Sequence, residues 1–258
     1  MADDQVLRVS NLTVAFGGNQ VLNGIDFEAR PGFSGLIGPN GAGKTTLFNV
    51  ITGYVQPRQG EVRLGNELLT GRGPASVAAS GVARTFQTPK LIQDMSVLEN
   101  ILLGVDGHRR LRDWGALLGS PRSERALRRR ATELLADFSL QGLAHDPVSS
   151  LSLGSQKLVE VVRALLSQPR LLLLDEPAAG VSASDVRRMT EPLEEIAKTE
   201  DLCMVIIEHD LELVSTLCQD VTVLDFGRVL ATGHPHEVIR RPDVVAAYLG
   251  ASFAAERT

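Results

Sequence analysis

Gly38-Pro39-Asn40-Gly41-Ala42-Gly43-Lys44-Thr45-Thr46 is the stretch that decides the fold. It fits the pattern GxxxxGK[ST]. It lies between an apolar run at 33–37 and a stretch at 45–52 in which Leu47, Val50 and Ile51 share one helical face. Strand, glycine-rich turn and helix in that order predict a parallel α/β unit, with Gly53 as a C-terminal stop for the helix. Successive backbone N–H groups of such a turn converge on one anion without side chains in the way, and the helix adds the positive end of its dipole. Lys44 is then expected to reach the outer phosphates of a nucleoside triphosphate, and the Thr45 hydroxyl to face its Mg²⁺. The expected contacts to the nucleotide therefore run through Gly38, Pro39, Asn40, Gly41, Ala42, Gly43, Lys44, Thr45 and Thr46.

A second stretch supports the first. Leu171-Leu172-Leu173-Leu174-Asp175-Glu176 reads as a buried strand ending in two carboxylates. Alone, it is an ordinary strand entering a turn. Downstream of a phosphate loop, it is expected to bring Asp175 to the carboxyl edge of the sheet, where it holds Mg²⁺ directly or through water. Glu176 then falls on the γ-phosphate side, as the group that orients and deprotonates the attacking water.

Outward from these two stretches the chain changes texture. Residues 6–16 and 21–30 alternate in character about Gly17-Gly18-Asn19 and predict a hairpin. Short apolar runs near 61–64, 171–174, 203–207 and 221–224 suit strands of a parallel sheet covered on both faces. Residues 91–168 read as mostly helical. Ser96 with Glu99 three positions on forms a capping box, and 123–138 has the pattern of an amphipathic surface helix. Arg122, Arg125, Arg128, Arg129 and Arg130 there are either a solvated face or a contact for anionic lipid or an acidic partner. Residues 104–121, with Trp114, carry no assignable role. The expected fold is α/β: a P-loop NTPase core with a mostly parallel sheet, an N-terminal antiparallel β lobe and an inserted helical lobe. It forms one domain over 1–258, the core at about 1–90 and 168–258 and the helical lobe at about 91–167.

Composition narrows the function classes. The 26 Lys and Arg against 31 Asp and Glu leave a net charge of -5, which argues against a partner held by counterion release, so no nucleic acid is expected. Cys203 and Cys218 lie in apolar segments without a CxxC pattern, as suits a reducing compartment. The acidic start at 1–4 lacks a basic-then-apolar signal. No stretch approaches the roughly 18–20 apolar residues a membrane span needs, so work at a membrane would go through other subunits.

The order of the phosphate loop, Gln87, Leu151-Ser152-Leu153-Gly154-Ser155, Asp175-Glu176-Pro177 and His209 resembles the ATP-binding subunit of ATP-binding-cassette (ABC) transporters over nearly the whole chain. The resemblance implies an ATPase that binds ATP and Mg²⁺. Ser152, Gly154 and Ser155, at the start of a helix over 156–167, would face the γ-phosphate of ATP bound to a second ABC ATPase subunit, identical or related. Phe16 would stack on adenine, although an apolar strand position is a competing reading. Gln87 would couple Mg²⁺ and water to the helical lobe, and His209 would contact the γ-phosphate. The other histidines, His108, His145, His234 and His236, have no such place and are expected to be solvated.

Arg84-Thr85-Phe86-Gln87, residues 95–104, Glu208-His209-Asp210, residues 223–227 and Ala247-Tyr248-Leu249-Gly250 are similar to the ATPases of branched-chain amino acid uptake systems. The implied partners are membrane-spanning permease subunits and, indirectly, an external solute-binding protein, with the chain peripheral on the cytoplasmic face of the cell membrane. Relatives serving urea uptake or lipopolysaccharide export have similar tails. ABC ATPases of DNA repair or translation, and regulatory nucleotide-binding modules, share the cassette; the former usually carry coiled-coil insertions or two cassettes in one chain. Two departures stand out: Ser155 where the family has glutamine, and Ser182 where it has aspartate. Ser182, with Asp185 three residues on, is equally a helix N-cap.

Overall fold

The computed structural model describes residues 5–112 and 121–255; Trp114 lies outside them. β1 (Leu7–Phe16) and β2 (Asn19–Ala29) form the expected antiparallel hairpin, and β3 (Gly32–Ile37) runs through the phosphate loop into α1 (Lys44–Ile51). β4 (Gln59–Leu64), β5 (Glu67–Leu68), α2 (Pro74–Ala79) and β6 (Val82–Arg84) follow. The α-helices α3 (Val97–Arg112), α4 (Pro121–Asp137) and α5 (Leu153–Leu166) come next, with two short 3-10 turns between α4 and α5 among the described residues. The chain then alternates through β7 (Leu171–Asp175), α6 (Ala183–Thr199), β8 (Cys203–Ile207), α7 (Leu211–Leu217), β9 (Asp220–Asp225) and β10 (Arg228–Gly233), and ends in α8 (Pro235–Val238) and α9 (Pro242–Ala255).

Among the described residues two sheets result, with strand orders β2-β1-β4-β5 and β10-β9-β3-β8-β7-β6. In the second, every pairing from β9 to β6 is parallel and only β10 runs antiparallel. One expectation needs correcting. The run at 61–64 belongs to β4, which pairs antiparallel with β1 in the smaller sheet, Val62 opposite Val9. Its period-2 burial, with Val62 and Leu64 inward, serves a one-sided hairpin sheet as well as a two-sided one, so apolar content does not choose the partner.

The pleat of the central strands divides the core. Leu172 and Leu174 of β7, with Met204 and Ile206 of β8, face the layer built by α3, α4, α5 and α6. Leu171, Leu173, Val205 and Ile207 face the opposite layer, where α1 and the antiparallel sheet contribute Leu47, Phe48, Leu12 and Ile25. Alternation with burial on both sides is what a central parallel strand requires. Each such fully buried leucine contributes roughly 1.5–3 kcal/mol. β3, β8 and β7 therefore end side by side, their carboxyl ends carrying the phosphate loop, His209 and the Asp175-Glu176 pair.

Helix starts follow the local signals. Ser96 and Glu99 close the capping box at α3, with Ser96 N donating to Glu99 Oε2 at 2.8 Å and Glu99 N to Ser96 Oγ at 3.3 Å. α5 begins earlier than expected: Ser152 is its N-cap and accepts from Ser155 N at 3.2 Å, so the signature residues form its first turn. Ser182 caps α6 in the same way through Asp185 N. Among the described residues no helix is long and apolar enough to cross a membrane.

Candidate functional site

α1 differs from α5, α6 and α7 in having no side chain that caps its first turn. Gly43 occupies the cap position at φ +105, and no acidic residue stands in the first turn. The leading N–H groups of α1 are thus left for an anion, which is the fit a triphosphate needs. Gly43 is confined twice over: its φ lies in the left-handed region, and an added Cβ would run into the Leu22 side chain. Gly227 is similarly pressed on Val21 O, and its N–H donates to Ala42 O at 3.1 Å, so β2, the β9–β10 turn and the phosphate loop are joined.

Lys44 is buried, and its Nζ donates to Gly38 O at 2.6 Å and Pro39 O at 3.0 Å. Burial pulls its pKa below the usual lysine range, while the charges of Glu176 and Asp175 oppose the shift. Those two carboxylates therefore lie within electrostatic reach of the loop. Asn40, Gly41 and Thr45 are exposed, and Thr46 is half-buried. From the other end of the chain, Tyr248 of α9 is half-buried against the loop. Burial pushes its hydroxyl up to about 12, opposed by a hydrogen bond with the Gly38 backbone.

Asp175 and Glu176 are adjacent but differently held. Asp175 Oδ2 is 2.6 Å from Arg84 Nη2, both side chains being almost fully buried. Arg84 Nη1 donates to Asn49 Oδ1 at 2.7 Å, and its guanidinium lies over the rings of Phe48 and Phe86. Glu176 adopts φ +49, a conformation costing an L-residue about 1–2 kcal/mol. Its N–H donates to Ile207 O at 2.9 Å. Its carboxylate bridges two other expected site residues: Gln87 Nε2 donates to Oε2 at 2.6 Å, and His209 Nε2 is 3.0 Å from Oε1. A carboxylate fixed at both oxygens, beside an uncapped helix start and a buried lysine, could act as a base toward a water beside a bound anion.

Ser152, Gly154 and Ser155 have local partners. The Ser152 hydroxyl caps α5, and Gly154 packs so closely on the Asp185 carboxylate that a Cβ there would collide with it. Phe16, 52% exposed at the end of β1, stands two positions beyond Val14, the partner of Leu22, the residue that packs on Gly43. His145, His234 and His236 are exposed as expected, the last two stacked on each other; the side chain of His108 is not among those described.

A divalent ion would draw on Thr45, an exposed residue, on Asp175, whose Oδ2 pairs with Arg84, and on Gln87. No cluster of three or more His, Cys, Asp or Glu ligands exists among the described residues. So sparse a protein set suits Mg²⁺, which takes most of its ligands from water and phosphate.

Four buried charges behind the site carry no individual role in the sequence reading, although Arg84 and Glu208 stand in the motifs quoted for the family similarity. Besides Arg84, these are Lys157, whose Nζ donates to Glu176 O at 2.8 Å and Ala179 O at 2.7 Å, Glu160, which accepts from Phe86 N at 3.2 Å and Lys90 N at 3.0 Å, and Glu208, which accepts from Ala178 N at 2.6 Å. Burial raises the pKa of Glu160 and Glu208 against those backbone donors. For Lys157 and Glu160, charged residues at otherwise apolar positions of α5 were the available signal.

The chain is similar to known proteins over most of its length. A family model described as ABC transporter matches residues 22–179, and one described as branched-chain amino acid ATP-binding cassette transporter matches 228–254. The chain is 35% identical over 249 residues to the high-affinity branched-chain amino acid transport ATP-binding protein BraF of Pseudomonas aeruginosa, covering 95% of this chain and 98% of that one. It is 37% identical over 251 residues to LivG of Escherichia coli, a protein of the same description, with the same coverage. A crystal structure of an ATP-binding cassette of an ABC transporter in its ADP conformation superposes with a TM-score of 0.82 at 32% identity, covering 95% of this chain and 98% of that one. The chain belongs to the ABC transporter family, as one of its ATP-binding ATPase subunits.

Proposed function

We propose that the chain powers uptake of branched-chain amino acids across the cytoplasmic membrane, working from its cytoplasmic face as one of two ATPase subunits, identical or related, that close head to tail over ATP. The observation that carries the chemistry is the Glu176 carboxylate held between Gln87 and His209. In this reading Lys44 and the main-chain N–H groups of the loop over 38–46, all but that of Pro39, which has none, bind the phosphates, Phe16 stacks on adenine, and Thr45, Asp175 and Gln87 hold Mg²⁺. Bound Mg²⁺ would neutralise charge building on the phosphate oxygens. Glu176 takes the proton of the attacking water. His209 fixes the carboxylate and contacts the γ-phosphate, and Ser152, Gly154 and Ser155 contribute to the partner's nucleotide.

The choice of solute is supported by the names of the relatives and by the match at 228–254. A groove of about 220 Å³ between the core and the helices, lined by Tyr54, Val77, Arg84, Phe86, Gly104 and Arg163, suits a permease helix. It borders Gln87 through Phe86, so movement there would reach the water-activating group. The external solute-binding protein acts on the far side of those permeases.

Two experiments test this. Glu176→Gln should keep ATP affinity, accumulate an ATP-dependent dimer in light scattering and lose about 10²-fold or more in turnover; wild-type turnover would remove Glu176 as the base. Deleting the gene should abolish uptake of radiolabelled leucine, isoleucine and valine. Intact uptake of all three, with loss of urea uptake or of lipopolysaccharide export instead, would overturn the solute assignment.

A further inference from the structure

α5 carries two charged residues on a buried face, Lys157 at 5% and Glu160 at 2% exposure. At a spacing of three they are neighbours on the helix surface. Neither is a plain ion pair. Lys157 spends two of its three donors on main-chain carbonyls, those of Glu176 at 2.8 Å and Ala179 at 2.7 Å. Glu176 is at φ +49, so the ammonium grips the backbone where its conformation is unfavourable for an L-residue and where the carboxylate must be aimed. Glu160 accepts from Phe86 N at 3.2 Å and Lys90 N at 3.0 Å, bracketing Gln87 on both sides. Arg163, the next residue along that face, donates to Lys90 O at 2.6 Å and ties the far end of the loop to α5. Gln87 and Glu176 then meet at 2.6 Å. One rigid helix thus sets the backbone under both members of the hydrogen bond that orients the base.

We propose that Lys157 and Glu160 are positioning residues for ATP hydrolysis: from one face of α5 they hold the main chain of Glu176 and of the Gln87 loop, so that the Gln87–Glu176 contact forms only when α5 is seated. The first turn of the same helix is Ser152 to Ser155. A push on that turn therefore reaches the water-activating carboxylate of its own chain along α5, without passing through the phosphate loop. This inference rests on Glu176 being the base.

The test uses the 258-residue chain in steady-state ATPase assays, with affinity read from a fluorescent ATP analogue. In Lys157→Met, kcat should fall about tenfold or more, as for a catalytic group displaced by a fraction of an ångström. KM and analogue affinity should stay within about twofold, because the phosphate loop is untouched. Glu160→Gln, which keeps one carbonyl acceptor, should show a smaller loss of the same kind. Lys157→Arg, which keeps charge and donors, should regain part of the rate. A folded Lys157→Met with wild-type kcat, or one whose KM changes as much as its kcat, overturns the assignment. If Lys157→Met fails to fold, Lys157→Gln decides on the same criteria; failure of both to fold makes Lys157 purely structural and overturns it as well. Glu176→Gln separates the two levels. If that variant turns over normally, the base assignment falls, whereas a dead Glu176→Gln beside a fully active Lys157→Met removes only the positioning role.

Discussion

Arg84→Met is the perturbation whose cost follows most directly from the site. Arg84 Nη2 and Asp175 Oδ2 are 2.6 Å apart, with side chains 6% and 7% exposed, so neither charge has bulk water to fall back on. Methionine would keep an apolar stem against the rings of Phe48 and Phe86 while deleting the charge and the bond to Asn49. Stripping one partner from a buried pair leaves the other uncompensated and costs about 3–5 kcal/mol. At about 2–4 °C per kcal/mol for a chain near this size, the melting temperature should fall by about 6–20 °C. Thermal melts by near-ultraviolet circular dichroism, repeated in urea, measure the loss. The double variant Arg84→Met/Asp175→Asn removes the orphaned charge and should recover most of it. A single variant within about 1 kcal/mol of wild type, the range of an exposed pair, would refute the reasoning. So would a double variant no more stable than the single.

Two further outcomes need only routine measurements. Burial pushes the thiols of Cys203 and Cys218 up to about 12 each, so at pH 8 the thiolate fraction is on the order of 10⁻⁴. Iodoacetamide should leave both unmodified in the folded chain and label both in guanidinium, and prompt labelling of the native protein by mass spectrometry would contradict the burial. Ser182→Ala should cost about 1 kcal/mol through loss of the α6 cap, while Ser182→Asp, also a good cap, should hold stability. Equal melting of Ser182→Ala and wild type would leave the cap without energetic weight.

How much of this was legible in the residues depended on whether a feature was local. The phosphate loop, the capping box at Ser96 and Glu99, and the cap at Ser182 are written within a few positions, and the backbone there has one good way to satisfy itself. The meeting of Gln87, Glu176 and His209 was implied by family resemblance; their distances are tertiary. Arg84, Lys157 and Glu160 escaped because each acts on partners 19 to 91 residues away, and a lone charge in a helix or strand reads as a solvated one until the fold buries it. The partner of β4 escaped for a different reason. An alternating strand states which face is inward but not beside which strand it lies.

The joint between β2, the phosphate loop and the turn before β10 has a consequence for how this part of the chain tolerates change. Asn23 N reaches Gly227 O at 2.8 Å, and Gly227 N reaches Ala42 O at 3.1 Å, so main-chain atoms do the fastening. A fastening of that kind fixes the backbone while leaving the neighbouring side chain in solvent: Phe226, beside Gly227, is 90% exposed although its own φ is +42. A polar residue that tolerates positive φ, such as asparagine, should therefore replace Phe226 without disturbing the grip on phosphate, which makes that one position of the rim a natural place to change the surface.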